Sequence, residues 1–280
     1  MSVNIKRSRI IFQKLDRELS KLAKKTAPER VHKFRTNSRR VEALLSELVP
    51  KVRSNDEKLL KLLCRLRKKA GRVRDLDVQI AALRALKFPQ ANGHKSQLME
   101  ALVEERAKRE RKLAKAFDRG TTTEIRKRLK RAWHDLKIPD NADPLAQTLG
   151  KLRELAGDDA KLTEKTLHQY RIIGKRARYL AELGDDAAAK HMVEQLKSMQ
   201  DVIGDWHDWW KLTHKAEELV GSVRDSALVA MLRNVTQAKF RQSLEAVARI
   251  RSAFASPSRP PTPVDASKHP PKSTAQTAAA

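Results

Sequence analysis

From about Arg9 to Phe254 apolar residues recur every three or four positions in a background of Leu, Ala, Lys, Arg and Glu. That period admits amphipathic helices and little else. Only 9 glycines occur in 280 residues, and alternating β-branched runs are nearly absent, so the fold class is all-α. Interruptions fall at residues 26–29, 50–55, 88–93, 120–123, 138–144, 157–159 and 184–186 and at Gly221. They divide the chain into about eight or nine helices. Thr26 with Glu29 fits a capping box, with Pro28 in the first turn, so a helix is expected to start there. The break at 138–144 is the natural boundary between a first half, 1–138, and a second, 139–254. Beyond Ala255 the chain turns to Pro, Ser, Thr and Ala without apolar period, and residues 255–280 read as a disordered tail.

The helices carry an unusual charge. With 60 Lys and Arg against 34 Asp and Glu, the formal net charge is +26. Self-repulsion on that scale opposes a compact state unless a partner or counterions neutralise it. Phosphate-rich partners therefore lead, and nucleic acid, inorganic polyphosphate and anionic membrane all belong to that class. No stretch reaches the length of an apolar membrane span, and the N-terminus lacks a signal-peptide core, so the chain is expected to be soluble and cytoplasmic. Cys64, the only cysteine, sits in an apolar run with Leu62, Leu63 and Leu66. A lone cysteine rules out a disulfide framework and a cysteine zinc site.

Two segments concentrate the charge in the same pattern. Val31-His32-Lys33-Phe34-Arg35 leads to Arg39-Arg40, and Leu167-His168-Gln169-Tyr170-Arg171 leads to Lys175-Arg176. Each has His at i, Arg at i+3 and Arg or Lys at i+7. On a helix those side chains fall within an arc of about 60° and run about 10 Å along the axis. Phe34, Val41, Leu44, Leu45 and Leu48 lie opposite the first strip, and Tyr170, Ile173, Ala177, Leu180 and Leu183 opposite the second. Core on one side and cations on the other is the layout of a bundle helix.

A second matched pair follows. Gly71-Arg72-Val73-Arg74-Asp75 ends 43 residues after His32, and Gly204-Asp205-Trp206-His207-Asp208 ends 40 residues after His168. A glycine inside a helix is destabilising by about 1 kcal/mol relative to alanine, so it is expected where another helix or a ligand comes close. The Asp nearby is placed to orient a cation across that contact.

These elements resemble the CHAD family, the helical domains named for their conserved histidines. The likeness rests on Val31-His32 through Arg39-Arg40, Gly71 with Arg74-Asp75, Leu167-His168 through Lys175-Arg176-Ala177-Arg178, and Gln200 with Gly204 and Asp208, and it covers roughly residues 9 to 254. The resemblance implies two pseudo-symmetric antiparallel four-helix bundles, basic surfaces facing a shared groove or pore, and binding of inorganic polyphosphate, with association to polyphosphate granules. The family pattern has another Arg ten residues after the His. Arg178 supplies it in the second half, but Glu42 stands there in the first. Glu42 is expected to weaken local anion affinity or to pair with Arg39, leaving the second strip the stronger.

The candidate polyphosphate-binding residues are His32, Arg35, Arg39, Arg40, Arg67, Arg74, His168, Arg171, Lys175, Arg176 and Arg178. Arginine forks two N–H donors onto non-bridging phosphate oxygens, lysine offers a compact charge, and histidine can donate a ring N–H. Arg74 is expected to extend the strip onto the next helix, with Arg67 seven residues earlier on the same side. The alternative for each His is a helix-crossing role with a backbone carbonyl as partner. Trp206, Trp209 and Trp210 recur at helical spacing, which reads as a core anchor, and an aromatic content of 4% argues against a stacking platform for single strands. The run 126–131 reads as an exposed basic face.

No catalytic residue, metal site or cofactor is assigned. His134-Asp135 and His207-Asp208 are reminiscent of metal-dependent phosphohydrolases, but two-residue matches are weak, and no nucleotide-binding loop or Ser-His-Asp pattern occurs. A nucleic-acid-associated protein using the same cations is the alternative to a polyphosphate binder, and a phosphohydrolase is the second alternative.

Overall fold

The computed structural model describes residues 5–88, 93–139, 141–156, 162–184, 186–222 and 226–255. Among these the chain forms nine helices and no strand: α1 (Ile5–Leu22), α2 (Pro28–Glu47), α3 (Ser54–Ala85), α4 (His94–Ala116), α5 (Arg119–His134), α6 (Pro144–Ala156), α7 (Glu164–Ala181), α8 (Ala187–Val220) and α9 (Ala227–Ala255). No described helix is long and apolar enough to cross a membrane. Residues 256–280 of the tail lie outside the described residues.

Local chemistry explains most boundaries. Asp186 caps α8 by accepting from the Ala189 N–H at 2.6 Å, which satisfies one of the free donors of the first turn. Gly221 closes the same helix at φ 88°, a conformation that favours glycine. Thr163 and Thr166 form a reciprocal capping box at the start of α7. Two expectations are corrected. At α2 the N-cap is Ala27 with Pro28 in the first turn and no side-chain cap, because Thr26 spends its hydroxyl on Glu110 of α4. Between α4 and α5 the break falls at Phe117 and Asp118, since Asp118 accepts from the Thr121 N–H at 2.8 Å and draws Gly120 into the first turn of α5.

The apolar faces meet in three clusters. The first joins α1, α2, the early part of α3 and α5, and takes in Tyr179, Leu180 and Leu183 from the end of α7. The second lies among α6, α7, the early part of α8 and the late part of α9. The third is shared: Leu76, Ile80 and Leu83 of α3 and Leu98 and Leu102 of α4 pack with Leu212 of α8 and Leu228 and Leu232 of α9. The core therefore does not part at the 138–144 break. Helix α3 serves the first cluster as far as Val73 and the shared one from Leu76. Helix α8 likewise serves the second cluster as far as Trp206 and the shared one from Leu212. The Gly-to-Asp elements at 71–75 and 204–208 sit at those two handovers.

Phe34 is fully buried on α2, with its ring edge against Phe117 at 5.2 Å between centroids. Phe34→Ala should lower stability by about 3–5 kcal/mol through lost burial and the cavity left behind, measured by chemical denaturation.

Candidate functional site

The two His-bearing helices pack on each other, and their strips converge. Arg35 and Arg39 of α2 share one field with Arg171 and Lys175 of α7. Burial, followed by the charges of Arg171, Arg39 and Arg35, pushes the Lys175 ammonium down to about 7. Burial depresses Arg35, with Arg171 and Arg74 adding to it against Asp75 and Asp208. Burial also depresses Arg39 and Arg171. His32 is held below its ordinary value by burial and then by Arg74, Arg35, Arg178 and Lys175. A histidine of the first half thus feels the cations of the second.

Few carboxylates answer these charges. Asp75 accepts from the Lys211 ammonium at 2.6 Å and lies 3.7 Å from the Arg35 guanidinium, so it ties α3 to both α2 and α8. Burial pushes Asp75 up, but the Lys211 hydrogen bond and the charges of Lys211 and Arg35 outweigh it and hold it below the usual carboxylate range. Asp208 acts on Arg35, Arg171 and Lys175 through its charge. Among the described residues the buried Nε donors of Arg171 and Arg178 have no hydrogen-bond partner, that of Arg178 having only the Glu182 carboxylate at 3.6 Å. Such donors are costly to leave unpaired, which suits a site whose acceptor arrives from outside.

The glycines of the second element are not forced by packing. A methyl at Gly71 would meet the Arg35 guanidinium at an ordinary 3.8 Å, and one at Gly204 would meet nothing within 4 Å. The close helix approach lies instead at Gly174, where a Cβ would fall 2.7 Å from the Met199 Cε. There Gln200 donates to the Gly174 carbonyl at 2.6 Å and joins α8 to α7.

The remaining candidates divide. Arg74 is half-buried and His168 exposed, its ring stacked on His207 at 6.2 Å. Arg178 keeps a carboxylate neighbour, Glu182, at 3.6 Å. Arg176 is exposed and borders, with Arg39, Glu42 and Tyr179, a hollow of about 120 Å³. Arg40 is taken up by Glu182 at 2.6 Å and by Asn37, a clasp between α2 and the end of α7. Arg67 does not extend the strip: it is only 8% exposed and donates to Ser38 at 3.2 Å and Glu42 at 2.6 Å. Glu42 thus has Arg67 as its hydrogen-bonded partner, while Arg39 feels it only through charge. Lys211 was missed by sequence reasoning, because the first half carries Val78 where Lys211 follows its Asp by three residues.

The tryptophans serve the core in different places. Trp206 is buried against Phe240 at 5.7 Å, Trp209 borders the shared cluster and Trp210 the second. A hollow of about 850 Å³ lies away from the strips between α1 and α5, where Arg126 pairs with Asp16 beside Phe12 and Trp133. Among the described residues no group of three or more His, Cys, Asp or Glu is arranged to hold a metal ion. His134 is exposed and meets its own neighbour Asp135 at 3.1 Å.

The sequence matches the family model for the CHAD domain over residues 9–217. The fold is similar to the crystal structure of the CHAD domain from the plant Ricinus communis, with a TM-score of 0.65 at 17% identity over 88% of each chain. It is also similar to PptA from Streptomyces chartreusis, with a TM-score of 0.64 at 16% identity over 88% of this chain and 95% of that one. No curated protein matches the sequence.

The Arg67 pair makes a test of Glu42. Glu42→Arg, which writes the family's arginine into the first half, should destabilise the fold by about 2–3 kcal/mol because it leaves Arg67 buried without its counter-charge. The shift in denaturation midpoint measures it, and Glu42→Gln, which keeps an acceptor, should lose less.

Proposed function

The chain belongs to the CHAD domain family, known for binding polyphosphate, and from that premise we propose that this protein binds inorganic polyphosphate between α2 and α7. The observation that carries the reading is the convergence of Arg35, Arg39, Arg171 and Lys175, with a buried donor of Arg171 unpaired among the described residues. Cations held this close repel one another, and a phosphate chain relieves the repulsion with one negative charge per internal phosphate. Arginines supply paired N–H contacts while Lys175 contributes a point charge. The partial burial of the strips favours a flexible single chain that runs between two helices. A rigid duplex presents its phosphates only to an outward surface, so nucleic acid remains the lesser partner.

The proposal includes the plan of two related four-helix bundles, 1–138 and 139–254, with α2 corresponding to α7 and α3 to α8. It treats the protein as a binder without catalysis that is cytoplasmic and associates with polyphosphate granules. Incubation with polyphosphate and Mg²⁺ or Mn²⁺ should release no phosphate, and excess long-chain polyphosphate should displace DNA or RNA at moderate salt. Steady phosphate release would reverse the assignment.

Replacing Arg171, Lys175 and Arg178 together by Ala should weaken polyphosphate binding at least tenfold, about 1.4 kcal/mol or more. Replacing the exposed Lys127, Lys130 and Arg131 of α5 should change it much less, with helicity kept in both. Titration calorimetry checks both triples, and equal losses would mean that only net charge matters.

Lys175 adds a pH signature. Its ammonium titrates near 7 in the free protein, and a bound polyanion must raise that value. Binding at about pH 8 should therefore take up a proton, and affinity should fall as pH rises above about 7. Calorimetry in buffers of different ionisation enthalpy measures the uptake, which Lys175→Arg should abolish while keeping the charge. Without ligand the same depressed value makes fold stability rise with pH from about 7 toward 10, since the unfolded chain holds a proton that the folded one has released.

A further inference from the structure

Helix α4 repeats a cation every three residues at Arg109, Lys112 and Lys115, a row about 9 Å long on one face. Neighbouring α3 presents Lys69 and Arg72, one turn apart. These five side chains alone line a cleft of about 210 Å³ between the two helices, and no carboxylate or aromatic ring borders it. Lys69, Arg72, Lys112 and Lys115 are exposed.

The cleft is not isolated. Arg72 and Arg109 also line an adjoining hollow of about 430 Å³ whose walls include Asp75, Lys211 and Lys215. Asp75 is the carboxylate that holds Arg35 of the strip. Three regions therefore join through shared side chains: the strips meet the hollow at Asp75 and Lys211, and the hollow meets the cleft at Arg72 and Arg109. Acidic groups in the hollow are already engaged, Glu105 with Arg109 at 3.0 Å and Lys215 at 3.5 Å, and Glu218 with Lys215 at 3.5 Å.

We propose that the α3–α4 cleft is a second anion site, one that takes the continuation of a long polyphosphate chain leaving the α2–α7 strips. The inference rests on the polyphosphate reading of the strips. The cleft is walled by the aliphatic stems of five cations whose charged ends are its only recognition groups, with no carboxylate or ring beside them, so its ligand is a solvated polyanion. Its connection to the strips makes the same molecule the occupant. Once one stretch of chain is held by the strips, the next is present at high effective concentration, so weak lysine contacts add strongly to the affinity of long chains and nothing to that of short ones.

The test uses the full chain with inorganic tripolyphosphate and with a long-chain polyphosphate, measured by calorimetry across a salt series. Lys69→Gln, Lys112→Gln and Lys115→Gln in one protein should lower long-chain affinity about tenfold and make its salt dependence shallower by about 2–3 in log–log slope. Tripolyphosphate affinity should stay unchanged. A control triple, Lys127→Gln, Lys130→Gln and Arg131→Gln, removes the same charge from α5 and should leave long-chain binding nearly intact. The proposal is overturned if long-chain affinity survives the cleft triple, if both ligands weaken alike, or if the control triple weakens long chains as much. A wild-type protein that binds neither ligand overturns the reading of the strips, and the cleft with it.

Discussion

Repulsion between the strips of α2 and α7 is the constraint on which the rest of the structure turns. Placing Arg35 and Arg39 beside Arg171 and Lys175 is unfavourable, and their charges add to the burial that depresses the Lys175 ammonium. The helices stay together because their opposite faces are committed to apolar clusters, with Val31 and Phe34 on α2 and Leu167 and Tyr170 on α7 almost wholly buried. A few ion pairs pin the approach. Glu182 gathers Arg40 and lies near Arg178, and Asp75 gathers Arg35 and Lys211. Asp208 adds its charge against Arg35, Arg171 and Lys175, and hydrophobic burial opposes the rest of the repulsion.

The pinning carboxylates sort the cations into two populations. Arg40 and Arg67 are spoken for by Glu182 and Glu42, and their role is to hold helices in place. Among the described residues Arg171 keeps a buried donor without a hydrogen-bond partner. Proximity in sequence says nothing about this distinction: Arg39 and Arg40 are adjacent, yet one faces the cations of α7 and the other a glutamate. What decides is the direction in which each side chain leaves its helix.

That explains how much was legible beforehand. The all-α class, the faces of the two His helices and the pattern of strips follow from intervals of three, four and seven, which a helix translates directly into geometry. Phe34, Val41, Leu44, Leu45 and Leu48 are buried as the spacing requires. Contacts between helices were not legible. The pairing of Glu42 with Arg67, the loss of Thr26 as a cap to Glu110 and the bridge from Lys211 to Asp75 each depend on residues 25 or more positions apart. The cleft between α3 and α4 was hidden for the same reason, since its five cations lie in two stretches far apart in the sequence.

The shared third cluster bears on how the two strips are held apart. Because α3 and α8 both continue past their Gly-to-Asp elements into one common apolar core with α4 and α9, the two halves cannot rock apart without exposing leucines from both. The spacing of the two strips is thus set by a core that lies away from them, and on the proposed reading an arriving phosphate chain would be met by a proton on Lys175 rather than by a movement of helices.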